Sequence, residues 1–110
     1  MTVRSPRTSS RTPPVVALDY EIAQEQASAL GRMGRALEAA LAALAAHRDG
    51  LQSDDRTARI RLVQDASDAL WCFIVQREAC GLRDPRAVFQ HYRVPAEVRN
   101  RMGVFAGRRR

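Results

Sequence analysis

Glu21 and Glu25 stand four residues apart, so any helix that contains them carries both carboxylates on one face. A guanidinium from a second helix would bridge such a pair, and Arg77 is the candidate, with Glu78 and Arg83 beside it and Tyr20, Gln24 and Gln76 around it. Two roles suit this polar cluster. It would bind a small polar ligand, or it would form interhelical ion pairs that fix register and orientation. No histidine lies near the cluster to complete a proton-transfer group.

The remaining reactive residues do not assemble into a catalytic or metal motif. A di-metal carboxylate bundle needs Glu-x-x-His pairs, but Leu44 and Val88 occupy the position three before His47 and His91. His47 is expected to cap the end of a helix and His91 to face solvent. Cys72 and Cys80 lie eight residues apart, roughly 12 Å along a helix at 1.5 Å per residue. A disulfide needs Cα atoms within about 7 Å, so two buried free thiols in a reducing cytoplasm are expected. They lack the second ligand pair of a structural zinc site. The chain holds no nucleophile elbow, glycine-rich phosphate loop or Cys-x-x-Cys pair. The expectation is a protein that is not an enzyme, with no catalytic residue, cofactor or metal.

A third constellation lies in AVFQHYRVPAEVRNRMG, residues 87–103. Two short helices around a tight break have the rhythm of a helix-turn-helix, with Phe89, Val94 and Val98 as packing residues. Arg86, Arg93, Arg99 and Arg101 would then be the nucleic-acid contacts. Two departures weaken the match: Arg93 stands where such turns usually have Gly, and Pro95 opens the second helix. The simpler role for Phe89, Tyr92, Val94, Val98 and Met102 is to cap the apolar end of a helical hairpin.

Two long amphipathic helices must position all of these groups. Leu30, Met33, Leu37, Ala40 and Leu44 step by three and four, with Leu41, Leu18, Ile22 and Ala23 extending the stripe. That period predicts a helix from about Ala17 to His47. Gly31 and Gly34 each cost about 1 kcal/mol inside it; with Ala27 they form either a small-residue packing patch or a weak spot. Asp49-Gly50 ends the helix, Leu51-Gln52 completes the connection, and Ser53, Asp54 or Asp55 caps the next. Ile60, Val63, Ser67, Leu70 and Ile74 predict a second helix from Asp55 to Cys80, stopped by Gly81-Leu82. Around Trp71-Cys72-Phe73-Ile74-Val75 it is apolar on all sides, which requires burial on more than one face. Asp84-Pro85 starts a third helix from Arg86 to about Tyr92, and Pro95 opens a fourth that ends at Gly103. Antiparallel pairing over the short connection sets residue i of the first helix opposite about 104 − i of the second, which brings Glu25 near Ala79 and Glu21 near Arg83.

Charge and composition frame the rest. The chain of 110 residues carries +6, and every basic residue is Arg. Residues 1–17 hold Arg4, Arg7 and Arg11 without an acid, and the far end closes on Arg108, Arg109 and Arg110. Residues 1–16 read as a disordered basic tail, residues 17–103 as one helical domain and residues 104–110 as a basic C-terminal tail. Basic tails suit polyanions, or simply keep the chain soluble. No apolar run reaches membrane-spanning length, because Glu38 interrupts the Ala/Leu stretch, and the N-terminus lacks the apolar segment of a secretory signal.

The stretches LDYEIAQEQASALGRMGRALEAAL (18–41), WCFIVQREACGLRD (71–84) and YRVPAEV resemble a family of short bacterial proteins known only as a domain of unknown function. The resemblance spans most of residues 18–103. It implies a helical cytoplasmic protein and supplies no activity, ligand or site residue.

The expected architecture is all-α: a long antiparallel hairpin plus two short C-terminal helices. Two helices of this length leave apolar stripes that the short helices cannot cover, so a homodimer forming a four-helix bundle is expected. The alternative is a monomer whose short helices fold back over the Trp71 region. The expected function is that of a small interaction or scaffold protein acting through self-association, with nucleic-acid binding by the basic C-terminal helices and tails as the second reading.

Overall fold

The structure, a computed structural model, describes residues 14–49 and 55–104. Four helices follow in order: α1 Pro14–Asp49, α2 Arg56–Ala79, α3 Arg86–His91 and α4 Ala96–Asn100. Among the described residues there is no strand. The architecture is the expected one, a long hairpin with short helices after it.

α1 starts three residues before Ala17, so Val15 and Val16, expected in the tail, are helical. The physical reason is Pro14. Its ring sets φ for a helix, and the first turn has no use for the N–H it lacks. The helix also runs two residues past His47. The expectations for Gly50, Leu51, Gln52, Ser53 and Asp54, for residues 1–13 and for residues 105–110 lie outside the described residues. α2 is capped by Asp55, whose carboxylate accepts the Ala58 N–H at 3.1 Å. It ends at Gly81, whose φ of +90° lets the Leu82 N–H return to the Arg77 carbonyl at 2.8 Å and the Gly81 N–H to Glu78 at 3.0 Å. Only glycine takes that conformation without strain.

The core forms where α1 and α2 lie side by side. Leu37, Leu44, Val63, Ala66, Leu70, Phe73 and Ile74 are buried between them. Val88, Val94 and Val98 close the groove from the C-terminal side. The turn between α3 and α4 makes this closure possible. Arg93 takes φ +52°, the left-handed position, and the Val94 N–H returns to the Phe89 carbonyl at 3.0 Å. The chain thereby reverses tightly with an arginine where glycine would be unstrained.

Polar groups then fasten the C-terminal segment along α2. Ser67 is fully buried, and its hydroxyl lies 2.8 Å from the Val63 carbonyl and 3.0 Å from that of Val98. Its place in an otherwise apolar stripe is thus explained: it satisfies a carbonyl of α4 inside the core. Arg59 pairs with Glu97. Gln64 is buried; its amide donates to Asp68 and to the Val104 carbonyl, and its oxygen accepts Arg101 Nε and Nη2 at 3.1 and 2.6 Å. Gly103, at φ +88°, fits beneath the Trp71 indole.

Three expectations need correction. The Trp71–Val75 segment is not buried all round: Phe73 and Ile74 are inside, while Trp71, Cys72 and Val75 lie on the outer side. The hairpin and its short helices cover α2 on two sides, which leaves one open. Ile60, assigned to the buried face, is 54% exposed. The register is also shifted. Gly34 packs against Phe73, so facing residue numbers sum to about 107 rather than 104. The end of α2 at Ala79 therefore falls near Ser28, and among the described residues no helix runs alongside α1 before that point.

Candidate functional site

The structure does not bring the anticipated polar cluster together, because Glu21 and Glu25 lie on the side of α1 turned away from α2. Glu21, Glu78 and Arg83 are exposed. Glu25 pairs along its own helix with Arg32 at 3.4 Å, both side chains more than half exposed. Arg77 turns the other way and donates to the Asp84 carbonyl at 3.1 Å, bracing the loop into α3. Among the described residues no hydrogen bond or ion pair joins Arg77 to either glutamate. An exposed pair such as Glu25–Arg32 contributes little to stability.

The four C-terminal arginines are not equivalent. Arg86 forks onto Asp84, with Nε on Oδ1 at 3.1 Å and Nη2 on Oδ2 at 3.2 Å, while its own N–H caps onto Oδ1 at 3.0 Å. The Arg86 side chain and then its backbone N–H hold the Asp84 carboxyl below its ordinary pKa, and the carboxylate raises that of Arg86 in return. Arg101 is tied to Gln64. Arg99 lies over the Phe89 ring, its guanidinium carbon 5.3 Å from the centroid. Arg93 is exposed at the left-handed turn. The segment thus has the tight turn of a helix-turn-helix, but its second helix is five residues long, and Arg86 and Arg101 already have partners inside the chain.

The histidines divide. His91 is exposed and meets Tyr92 edge-on, ring centroids 4.8 Å apart. His47 lies in the last turn of α1, but both ring nitrogens are buried without a hydrogen bond, so the ring does not cap the helix as expected. Cys72 and Cys80 are free thiols, but neither is buried as expected: Cys72 lies on the outer side of α2 and Cys80 is half-buried at its end. Among the described residues no three His, Cys, Asp or Glu side chains are placed to hold a metal ion, and no helix is long and apolar enough to cross a membrane.

Two concavities flank Tyr92. A cleft of about 500 Å³ runs between the C-terminal half of α1 and the α3–α4 turn, with Glu38, Arg48, His91 and Arg93 on its rim. A shallower groove of about 370 Å³ follows α1 itself over Ala27, Leu30, Gly31 and Gly34, with Phe73 and Tyr92 as its wall. The two glycines differ there. A Cβ on Gly34 would lie 3.0 Å from the Tyr92 hydroxyl and 3.4 Å from the Phe73 ring, whereas one on Gly31 would meet only the tip of Arg35 at 3.5 Å. Gly34 admits the aromatic wall; Gly31 opens outward.

The largest departure from a closed surface is the first third of α1. Val15, Leu18, Tyr20 and Ile22 are 62, 53, 69 and 48% exposed, and Val16 stands with them at 50%. Single exposed apolar side chains are ordinary; here five fall within one stretch of helix, Val15, Leu18 and Ile22 on one side of it and Val16 and Tyr20 on another. Sequence periodicity showed the stripe; that it is uncovered depends on where α2 ends. Gln64, which anchors the C-terminal segment, gave no signal in the sequence, because a glutamine on an amphipathic helix reads as solvated surface.

No curated protein and no solved structure matches the chain. A family model described as a family of unknown function (DUF6665) matches residues 7–110, the described helices included, and the chain belongs to that family.

Proposed function

We propose that this chain is a small, non-enzymatic helical interaction protein that works by self-association, using the first third of α1 as its contact surface. The observation that carries this is the bare apolar run Val15, Val16, Leu18, Tyr20 and Ile22 on a helix that has outrun its intramolecular partner. Leaving such a run in water forgoes about 25 cal/mol for each Å² of apolar surface, and a partner surface recovers it. Sedimentation equilibrium of the full chain tests the proposal. The expected mass is twice 12.3 kDa at micromolar concentration, with Val16→Glu plus Tyr20→Glu returning the single-chain mass. A single-chain mass for the unaltered protein at every concentration sinks it. Free thiols at Cys72 and Cys80 suit a reducing compartment, and we place the protein in the bacterial cytoplasm.

A second reading, nucleic-acid binding, draws on the left-handed turn at Arg93 and on Arg93 and Arg99, the two arginines of that segment without an internal ion pair or hydrogen bond. It predicts a steep fall of duplex affinity with salt. Binding of random duplex DNA that survives physiological salt, and that drops on replacing Arg93 and Arg99 with Ala, would favour it over self-association.

A further inference from the structure

The cleft between the C-terminal half of α1 and the α3–α4 turn is lined by charges that the chain itself does not use. Arg48 stands on the α1 side, and His91 and Arg93 on the facing turn. Among the described residues none of these three side chains forms an ion pair or a hydrogen bond. Arg86 and Arg101, by contrast, are tied to Asp84 and Gln64. Arg93 carries the clearest signal. At its φ of +52° glycine is unstrained and an arginine is not. The turn needs that conformation but has no use for the guanidinium, and strained residues of this kind cluster where a ligand is held. Glu38 is the one acid on the described rim. It lies ten residues from Arg48, about 15 Å along the helix at 1.5 Å per residue, where the cleft meets the neighbouring groove beside Arg35.

Between these charges the cleft is apolar. Leu41, Leu44 and Ala45 of α1 and Pro95 of the turn line it, and Leu44 is almost fully buried. A volume of about 500 Å³ is that of a small-molecule site, in which an apolar lining holds the body of the ligand and a few polar groups fix its head. Guanidinium forks match the oxygens of carboxylates and phosphates, and an imidazole N–H adds a further donor. We infer that this cleft binds a small organic anion, a carboxylate or phosphate monoester on an apolar body, with its head between Arg48, His91 and Arg93 and its body on Leu41, Leu44 and Pro95. The apolar floor favours such a ligand over a nucleic-acid backbone, which is held by charge alone along a surface. The site is separate from the contact surface proposed for self-association, because Ile22 and Glu38 are about 24 Å apart along α1.

The test follows backbone amide chemical shifts of the nitrogen-15-labelled full chain as 2-naphthoate, 2-naphthyl phosphate or the neutral 2-naphthamide is added. Both anions are expected to shift the amides of Ala42, Ala45, His91 and Arg93, and 2-naphthamide to bind about tenfold or more weakly. The tighter of the two anions identifies the head as carboxylate or phosphate. Arg93→Gly removes the guanidinium and suits the left-handed turn, so the fold survives it. It is expected to weaken anion binding about tenfold, as is Arg48→Gln at an exposed position. Arg99→Gln, over the Phe89 ring and outside the cleft, is expected to leave binding unchanged. No binding of either anion at millimolar concentration, equal binding of 2-naphthamide, or shifts confined to Val15–Ile22 overturns the proposal. So does unchanged affinity in Arg93→Gly. An Arg99→Gln loss equal to that of Arg93→Gly overturns it as well, because it means a general attraction of anions to the basic segment.

Discussion

The two ends of α1 have the same kind of sequence and opposite surroundings. Leu37 and Leu44 are 0 and 1% exposed, and Leu18, on the same helix, is 53% exposed. Both regions show an apolar stripe at helical spacing. α2 faces one of them and stops short of the other. An amphipathic stripe therefore reports that a helix has something to bury, without saying whether the partner belongs to the same chain.

The largest test of this contrast is truncation of a leucine in each region. Leu37→Ala is expected to cost about 2–5 kcal/mol in chemical denaturation, because it leaves a cavity that fixed neighbours cannot fill. Leu18→Ala is expected to stay within about 0.5 kcal/mol under dilute conditions where the chain is single. Similar losses at both positions would mean that the first third of α1 is covered within the chain.

Next in size is the polar anchor of the closed region. Gln64→Ala strips the partners of the Arg101 guanidinium and the Val104 carbonyl and is expected to cost about 1–3 kcal/mol. Tryptophan fluorescence should follow the loss, since Gly103 underlies Trp71. An unchanged spectrum and midpoint would show that the segment is held by Val94 and Val98 alone.

The glycines sharpen the comparison further. Gly31→Ala, in the open groove, is expected to gain up to about 1 kcal/mol of helix stability in the single chain. Gly34→Ala should lose that gain to displacement of the Tyr92 hydroxyl. Arg93→Gly, which relieves a left-handed arginine, is expected to stabilise by about 1 kcal/mol or less, after the greater freedom of glycine in the unfolded chain is subtracted. Thermal melts of the three variants rank them directly.

The smallest effect is one of acid. Asp84 has its pKa lowered in the folded chain, first by the Arg86 side chain and then by the Arg86 N–H. A lowered folded value means that its contribution is present above the unfolded value and is lost as pH falls through the folded one, below about pH 4. Because the group is fully exposed, the change should be confined to the start of α3. Amide exchange at Arg86 should quicken below that pH in the unaltered chain and show no such step in Asp84→Asn.

Much of the fold was legible because it rests on local chemistry. Asp55 as a cap, Gly81 as a stop and the Asp84-Pro85 start act through backbone groups within a few residues of themselves, so residue type and position suffice. The tight turn at Arg93 was legible too, as a departure from glycine whose strain the φ of +52° displays. The polar cluster was not. Glu21 and Glu25 do share one side of α1, but it is the solvent side, since the stripe Leu30, Met33, Leu37 and Leu44 turns the other side to α2. Glu25 pairs along its own helix with Arg32, and Arg77 turns to the Asp84 carbonyl seven residues on.

By itself, then, the sequence determined the helices, their order and the stripe on each that carries the core, because hydrogen bonding along the backbone and the 3.6-residue period operate inside each element. Only the tertiary structure decided which stretch of that buried face is satisfied within the chain. That choice follows from the close packing of Gly34, Phe73 and Tyr92, which sets where α2 ends against α1 and so leaves Val15 to Ile22 in water, available to a second copy.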